Sequence, residues 1–176
     1  MKSISVAVIA VAVVLAVSGD RAISAQDKYT LKVPDGLAFS EFRGYEDWQV
    51  VAVSKTDDLM SAILANPVMI DAYRAGVPGN GQPFPDGAKL AKIHWKPKDS
   101  EDAPAPTAVP GTLANVDFMV RDSKRFSDTA NWGYAEFDYE AASETFTPHE
   151  TGANCGAACH TIAAAKDSVF TAYPTR

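Results

Sequence analysis

Thr112-Leu113-Ala114-Asn115-Val116-Asp117-Phe118-Met119-Val120-Arg121 places Ala114, Val116, Phe118 and Val120 on one side of an extended chain and Asp117 on the other. Apolar residues at every second position are the signature of a strand lying on a core. Similar reasoning extends outward. Trp48 to Ser54, rich in β-branched and aromatic residues, reads as a strand, as do Ala88 to Lys96 and Trp132 to Tyr139, with Thr145-Phe146 as a further pairing segment. Asp57 to Ala65 reads as a helix capped by Asp57 or Asp58. A second helix starts at Asn66-Pro67, where asparagine caps and proline fits the first turn, and stops at Gly76 after Ala75. Val77 to Gly87 is dense in glycine and proline and reads as a loop, Asp99 to Pro110 as an exposed connection, and Asp122 to Phe126 as a short helical turn. Asn154 to about Lys166 is predicted to be helical, and Val169 to Tyr173 to close the chain against the sheet. The sum is an α+β fold, predominantly antiparallel β-sheet with a few helices, one of them C-terminal.

The N-terminus has the order of a secretory signal peptide: Met1-Lys2, an apolar run from Ile4 to Val17, then small residues around Ala25. The run is short for a bilayer-spanning helix, which needs about 20 residues. Residues 1–25 are therefore expected to be removed, leaving 26–176 as a single domain in the periplasm. The chain carries 16 basic and 22 acidic residues; without residues 1–25, which hold Lys2, Arg21 and Asp20, the net charge is about −7. Such a surface disfavours nucleic acid and anionic membrane as partners.

The helix predicted at the C-terminus contains Asn154-Cys155-Gly156-Ala157-Ala158-Cys159-His160-Thr161, and its cysteines are the only two in the chain. Two thiols with a histidine directly after the second form the attachment signature of a c-type haem. Each thiol adds across one vinyl group, and the adjacent imidazole becomes the iron's proximal ligand. The usual gap of two residues is three here, but positions i and i+4 share a helix face, so Cys155 and Cys159 still address one porphyrin edge. Two other readings of these residues stand beside haem: a disulfide, which would distort the helix, and a metal site with His160, short of the four ligands a structural zinc takes. With one covalent haem, the sixth iron position decides between electron transfer, gas binding and catalysis. Met60, Met69 and Met119 are the sulfur candidates and His94 and His149 the imidazole candidates, all of them better accounted for as packing or surface residues, so an open site is expected. The sheet-rich layout also differs from that of a small all-helical electron carrier.

On the strand from Ala88, Leu90, Lys92, His94 and Lys96 share one face and Ala91, Ile93 and Trp95 the other. Pattern alone leaves Lys92 either solvated or facing a ligand. Asp117, and Glu136 on the next strand, are the carboxylates suitably placed to take a proton from a substrate, or else ordinary surface charges.

Three stretches together resemble the cytochrome P-460 family: Pro83-Phe84-Pro85-Asp86-Gly87-Ala88-Lys89-Leu90-Ala91-Lys92-Ile93, then Val120 to Phe126 followed by Asn131-Trp132-Gly133-Tyr134, then the cysteine segment with Lys166 to Thr171 downstream. The resemblance covers about Tyr29 to Arg176. It implies a largely β fold with one c-type haem, histidine below and an open site above. It further implies hydroxylamine oxidation, with Lys92 at the position of a lysine bonded to the porphyrin and Asp117 at that of a distal carboxylate. Related cytochromes c′-beta lack the lysine bond and bind nitric oxide. Relatives carry an arginine shortly before the helix start matched by Asn66-Pro67; this chain has Ser61 near there and no arginine. The partners so implied are a small nitrogen-containing substrate or gas, an electron-transfer protein and a second copy in a homodimer.

Overall fold

The computed structural model describes residues 25–175; the predicted signal segment lies outside the described residues but for Ala25. Six strands follow one another in space in chain order, every neighbouring pair antiparallel: β1 Gln49–Lys55, β2 Met60–Ala65, β3 Lys89–Asp99, β4 Ala108–Arg121, β5 Trp132–Glu140 and β6 Thr145–Pro148. Two α-helices accompany them, α1 Pro67–Arg74 between β2 and β3 and α2 Gly152–His160 after β6. No helix among the described residues is long and apolar enough to cross a membrane.

The helix predicted over Asp57 to Ala65 is not formed. Thr56 to Leu59 close a turn, with the Thr56 amide donating to the Leu59 carbonyl at 2.8 Å, and Met60–Ala65 pair with both β1 and β3. Methionine, alanine and leucine favour helix, and a short, nearly continuous apolar run carries no period that separates helix from strand. Burial on both sheet faces explains the run: Leu64 packs into one core cluster and Ile63 and Ala65 into the other. The predicted start of α1 is formed, Asn66 Oδ1 accepting from the Met69 amide and Pro67 in the first turn. Strands β3 and β4 extend into the stretch read as a connection, leaving residues 100–107 as the loop. Residues 122–126 form a turn, and the short 3₁₀ helix falls at Ser127–Thr129. Alternation on β4 holds for Val116, Phe118 and Val120, all buried, but fails at Ala114. His94 pairs with Asn115 and Trp95 with Leu113, so Ala114 is an extra residue, a bulge in the ladder.

Each face of the sheet is covered by a different part of the chain. The N-terminal segment lays Val33, Leu37, Phe39, Phe42 and Tyr45 over Ala91, Val116, Phe118 and Phe137, with the Phe42 and Phe118 rings stacked at 4.2 Å. On the opposite face α1 packs through Met69, Ile70 and Tyr73 onto Phe84, Leu90 and Trp132. The C-terminal segment joins this second layer: Val169 is buried, the Tyr73 hydroxyl donates to the Thr171 carbonyl at 2.9 Å, and Tyr173 stacks on Tyr73. The part of this face left open by α1 is where α2 comes to rest.

Candidate haem site

Residues opposite one another in an antiparallel sheet share a face, so the register builds rows across the second face. One row reads Ala65, Leu90, Met119, Tyr134; the next Ile63, Lys92, Asp117, Glu136; the third Ser61, His94, Asn115, Asp138. An apolar row is thus followed by a charged row and then a polar one. Helix α2 lies against β5 because two glycines let it. A Cβ on Gly156 would stand 2.7 Å from Cβ of Tyr134, and one on Gly152 2.9 Å from the Glu136 amide nitrogen. Gly152 and Gly156 are four apart and form the stripe in contact with the sheet. Cys155 and Cys159, also four apart, form a second stripe; both thiols are free and exposed.

Between α2 and the sheet is a half-open cavity of about 550 Å³, lined by Lys92, Asp117, Glu136, Cys155, Cys159 and His160. All six residues singled out from the sequence therefore meet at one place. Leu90, Met119 and Tyr134 form its apolar floor, and Ala52, Val53 and Phe170 are also in its wall. Met119 is the one sequence-proposed sixth ligand lining it among the described residues, next in register to Tyr134, whose ring is 5.0 Å from that of His160. Met69 is fully buried in α1. Both ring nitrogens of His94 are occupied, by Ser61 at 2.9 Å and Asp117 at 2.8 Å, and His149 is held by Asp138 at 2.8 Å.

The chain after α2 fixes the imidazole. A 3₁₀ helix over Thr161–Lys166 ends in Asp167 and Ser168, both in the left-handed region with φ of 51° and 61°. That reversal aims the Ser168 carbonyl at His160 Nδ1, 2.6 Å away. With Nδ1–H donating there, Nε2 carries the free lone pair, the arrangement found in metal-bound histidines. Burial pushes the His160 pKa below its ordinary value, against the Ser168 contact and Asp117, which raise it; the charge of Lys92 adds to the lowering. The neutral, ligating form is favoured. Asp167 is itself gripped by the Arg121 guanidinium at 2.8 Å and by the Phe84 amide at 2.8 Å. No ion pair holds Lys92 among the described residues.

The donors fit a haem: two exposed thiols on one stripe, an imidazole with Nε2 free, an apolar floor, and a volume within the 300–1,000 Å³ or so typical of cofactor pockets. Fold and site together define a haem cytochrome built on a β-sheet. The chain belongs to the cytochrome P460 family, which matches residues 42–171. None of the curated proteins matches it.

The sequence reading did not find Asn115, Arg121, Ser168 or Phe170 as parts of this region. Ser168 acts through its backbone, which leaves no side-chain signal. Arg121 and Asp167 are far apart in the chain, and only the fold brings the end of β4 against the tail.

Proposed function

We propose that the protein is a periplasmic c-type cytochrome with one covalent haem that oxidises hydroxylamine or a related small nitrogen compound. The observation carrying this is the charged row Lys92, Asp117, Glu136 facing Cys155, Cys159 and His160 across one cavity. Cys155 and Cys159 would hold the porphyrin through thioethers, and His160 Nε2 would ligate its iron. When bound, the haem would supply redox chemistry for oxidising a small nitrogen compound, with an acceptor protein taking the electrons. Each N–H or O–H bond lost in that oxidation also leaves a proton, and Asp117 and Glu136 accept it at the cavity floor. Lys92, held by no ion pair among the described residues, would be the side chain for a bond to the porphyrin. Both nitrogens of His94 being engaged supports an open sixth position.

A second reading, a non-catalytic nitric-oxide-binding protein, is favoured by the lack of an arginine near Ser61, where the family resemblance leads one to expect one, and by the apolar contribution of Leu90 and Met119 to the cavity. Lys92 separates the two. Tryptic digestion of the purified holoprotein should yield the Lys92 peptide attached to the haem peptide, and hydroxylamine should reduce an added electron acceptor. A free Lys92 peptide together with no acceptor reduction would leave the gas-binding reading in its place.

A further inference from the structure

Glu136 lines the haem cavity, but two groups beside it, Asp138 and His149, have no part in the function proposed above. Glu136 and Asp138 are two apart on β5, so their side chains leave the same face of the sheet. His149 directly follows β6, and its amide donates to the Glu136 carbonyl at 2.9 Å, one step beyond the Phe137–Pro148 pair. The hairpin thereby brings one imidazole and two carboxylates together: a ligand atom from each lies within 4.8 Å of the others. Nδ1 of His149 is 2.8 Å from Asp138 Oδ2. Two further observations favour a cation here. No lysine or arginine among the described residues forms an ion pair with Glu136, Asp138 or the adjoining Glu150, so a single imidazole faces a surplus of negative charge. The second is Asn115, the register partner of Asp138 on β4. Its Nδ2 donates to Glu136 Oε1 at 2.7 Å, while Oδ1 of the same amide is buried with no donor among the described residues. A buried acceptor short of a donor, one amide away from the cluster, is a group that water carried by a cation would satisfy.

We propose that Glu136, Asp138 and His149 form a second metal site, beside the haem cavity and apart from the thiols, which takes a divalent cation of the zinc type. The ligand set decides the class. Oxygen ligands alone suit magnesium and calcium, whereas an imidazole suits zinc, copper and nickel. Three protein ligands leave a coordination position for water, and the Asp138 and His149 side chains, 48% and 41% exposed, keep it open to solvent. In the free protein Nδ1–H of His149 donates to Asp138. On binding, that hydrogen leaves to solvent, the Nδ1 lone pair passes to the ion, and Nε2 keeps a hydrogen. Asn115 then orients Glu136 from behind, the role that outer hydrogen-bond partners have at metal sites. With the ion bound, Glu136 is a ligand and Asp117 is the carboxylate left free to accept a proton. His149 leads through Glu150 and Thr151 into Gly152, where α2 begins, so the ion fastens β5 to the entry of the helix carrying Cys155 and Cys159. The site does not depend on which compound the haem acts on.

The test is a calorimetric titration of the haem-loaded protein with zinc chloride at about pH 8, above the ordinary histidine value, so that protons compete little for the imidazole. The wild type is predicted to take up one zinc per chain with a Kd on the order of micromolar. His149→Ala and Asp138→Asn should each weaken binding at least about tenfold. Neither residue lines the haem cavity, so both variants should keep the wild-type absorption spectrum. Excess magnesium or calcium should not displace the zinc. A second readout is thermal: zinc should raise the melting temperature of the wild type and leave that of His149→Ala unchanged. If the purified chain carries no haem, its two thiols are alkylated before the titration, so failure of the haem reading leaves the test of this site intact. Should one variant not fold, the other decides. No zinc uptake by the wild type at about 1 mM, unchanged uptake in a folded variant, or calcium competing on equal terms would each overturn the proposal.

Discussion

His160 Nδ1 sits 2.6 Å from the Ser168 carbonyl oxygen, and that carbonyl is aimed by two successive left-handed residues held in place from the sheet. The anchor is the Arg121–Asp167 pair, with side chains 9% and 16% exposed. Removing one partner strands a buried charge, at a cost of about 3–5 kcal/mol. Arg121→Gln is therefore predicted to lower stability by that order in thermal or urea unfolding. It should also perturb the haem absorption spectrum, because the carbonyl orienting His160 loses its support. Loss of stability with an unaltered spectrum would separate the anchor from the ligand.

Gly156 makes the second prediction. Its added Cβ would stand 2.7 Å from Cβ and 2.8 Å from Cγ of Tyr134, an aromatic side chain 5% exposed that cannot step aside. Gly156→Ala should lift α2 from β5 and cost about 1–3 kcal/mol through overpacking. The haem incorporated per chain after maturation should fall in parallel. Unchanged melting and haem content would show that α2 is not seated on Tyr134.

A third prediction concerns acid. Glu41 joins the N-terminal segment to the turn after β4 through the Arg125 guanidinium, at 2.7 and 3.2 Å, and accepts from the Ala38 amide at 3.0 Å. Partial desolvation pushes its carboxyl up, but Arg125, the Ala38 amide and Lys89 outweigh it and leave the pKa below the ordinary value. A carboxylate depressed in the folded state stabilises above its unfolded pKa and loses that contribution as pH falls through the folded one. Glu41→Gln should be about 1 kcal/mol or less weaker at pH 7, since the pair is partly exposed. The gap should narrow as pH falls past the ordinary glutamate value of about 4.3 and close only below the depressed folded-state value, where both side chains are neutral. Denaturant curves at the two pH values check it; a gap that persists in acid contradicts the assignment.

Period-two patterning located β4, β5 and most of β3 because their faces differ in polarity. It failed for Met60–Ala65 because both faces of that strand are covered and the pattern has no polar side. Lys92 was ambiguous for a related reason: β3 has Ala91 and Ile93 against one layer and Leu90 beside Lys92 against the other, so neither face is plainly solvent. The cysteine stripe and His160 could be singled out because the haem-attachment signature is a local run of residue types. Their meeting with Asp117 and Glu136 depends on strand register, and the bulge at Ala114 has no marker in the sequence. The glycines at 152 and 156 acquire meaning only once β5 is seen beneath them.

The most direct test is the intact mass of the secreted protein, made together with a working haem-maturation apparatus and measured after denaturation. A chain cleaved near residue 25 and carrying one haem, lost only when both Cys155 and Cys159 are replaced by serine, is the predicted result. A colourless chain with no added haem, its two sulfurs joined to each other, would contradict the account.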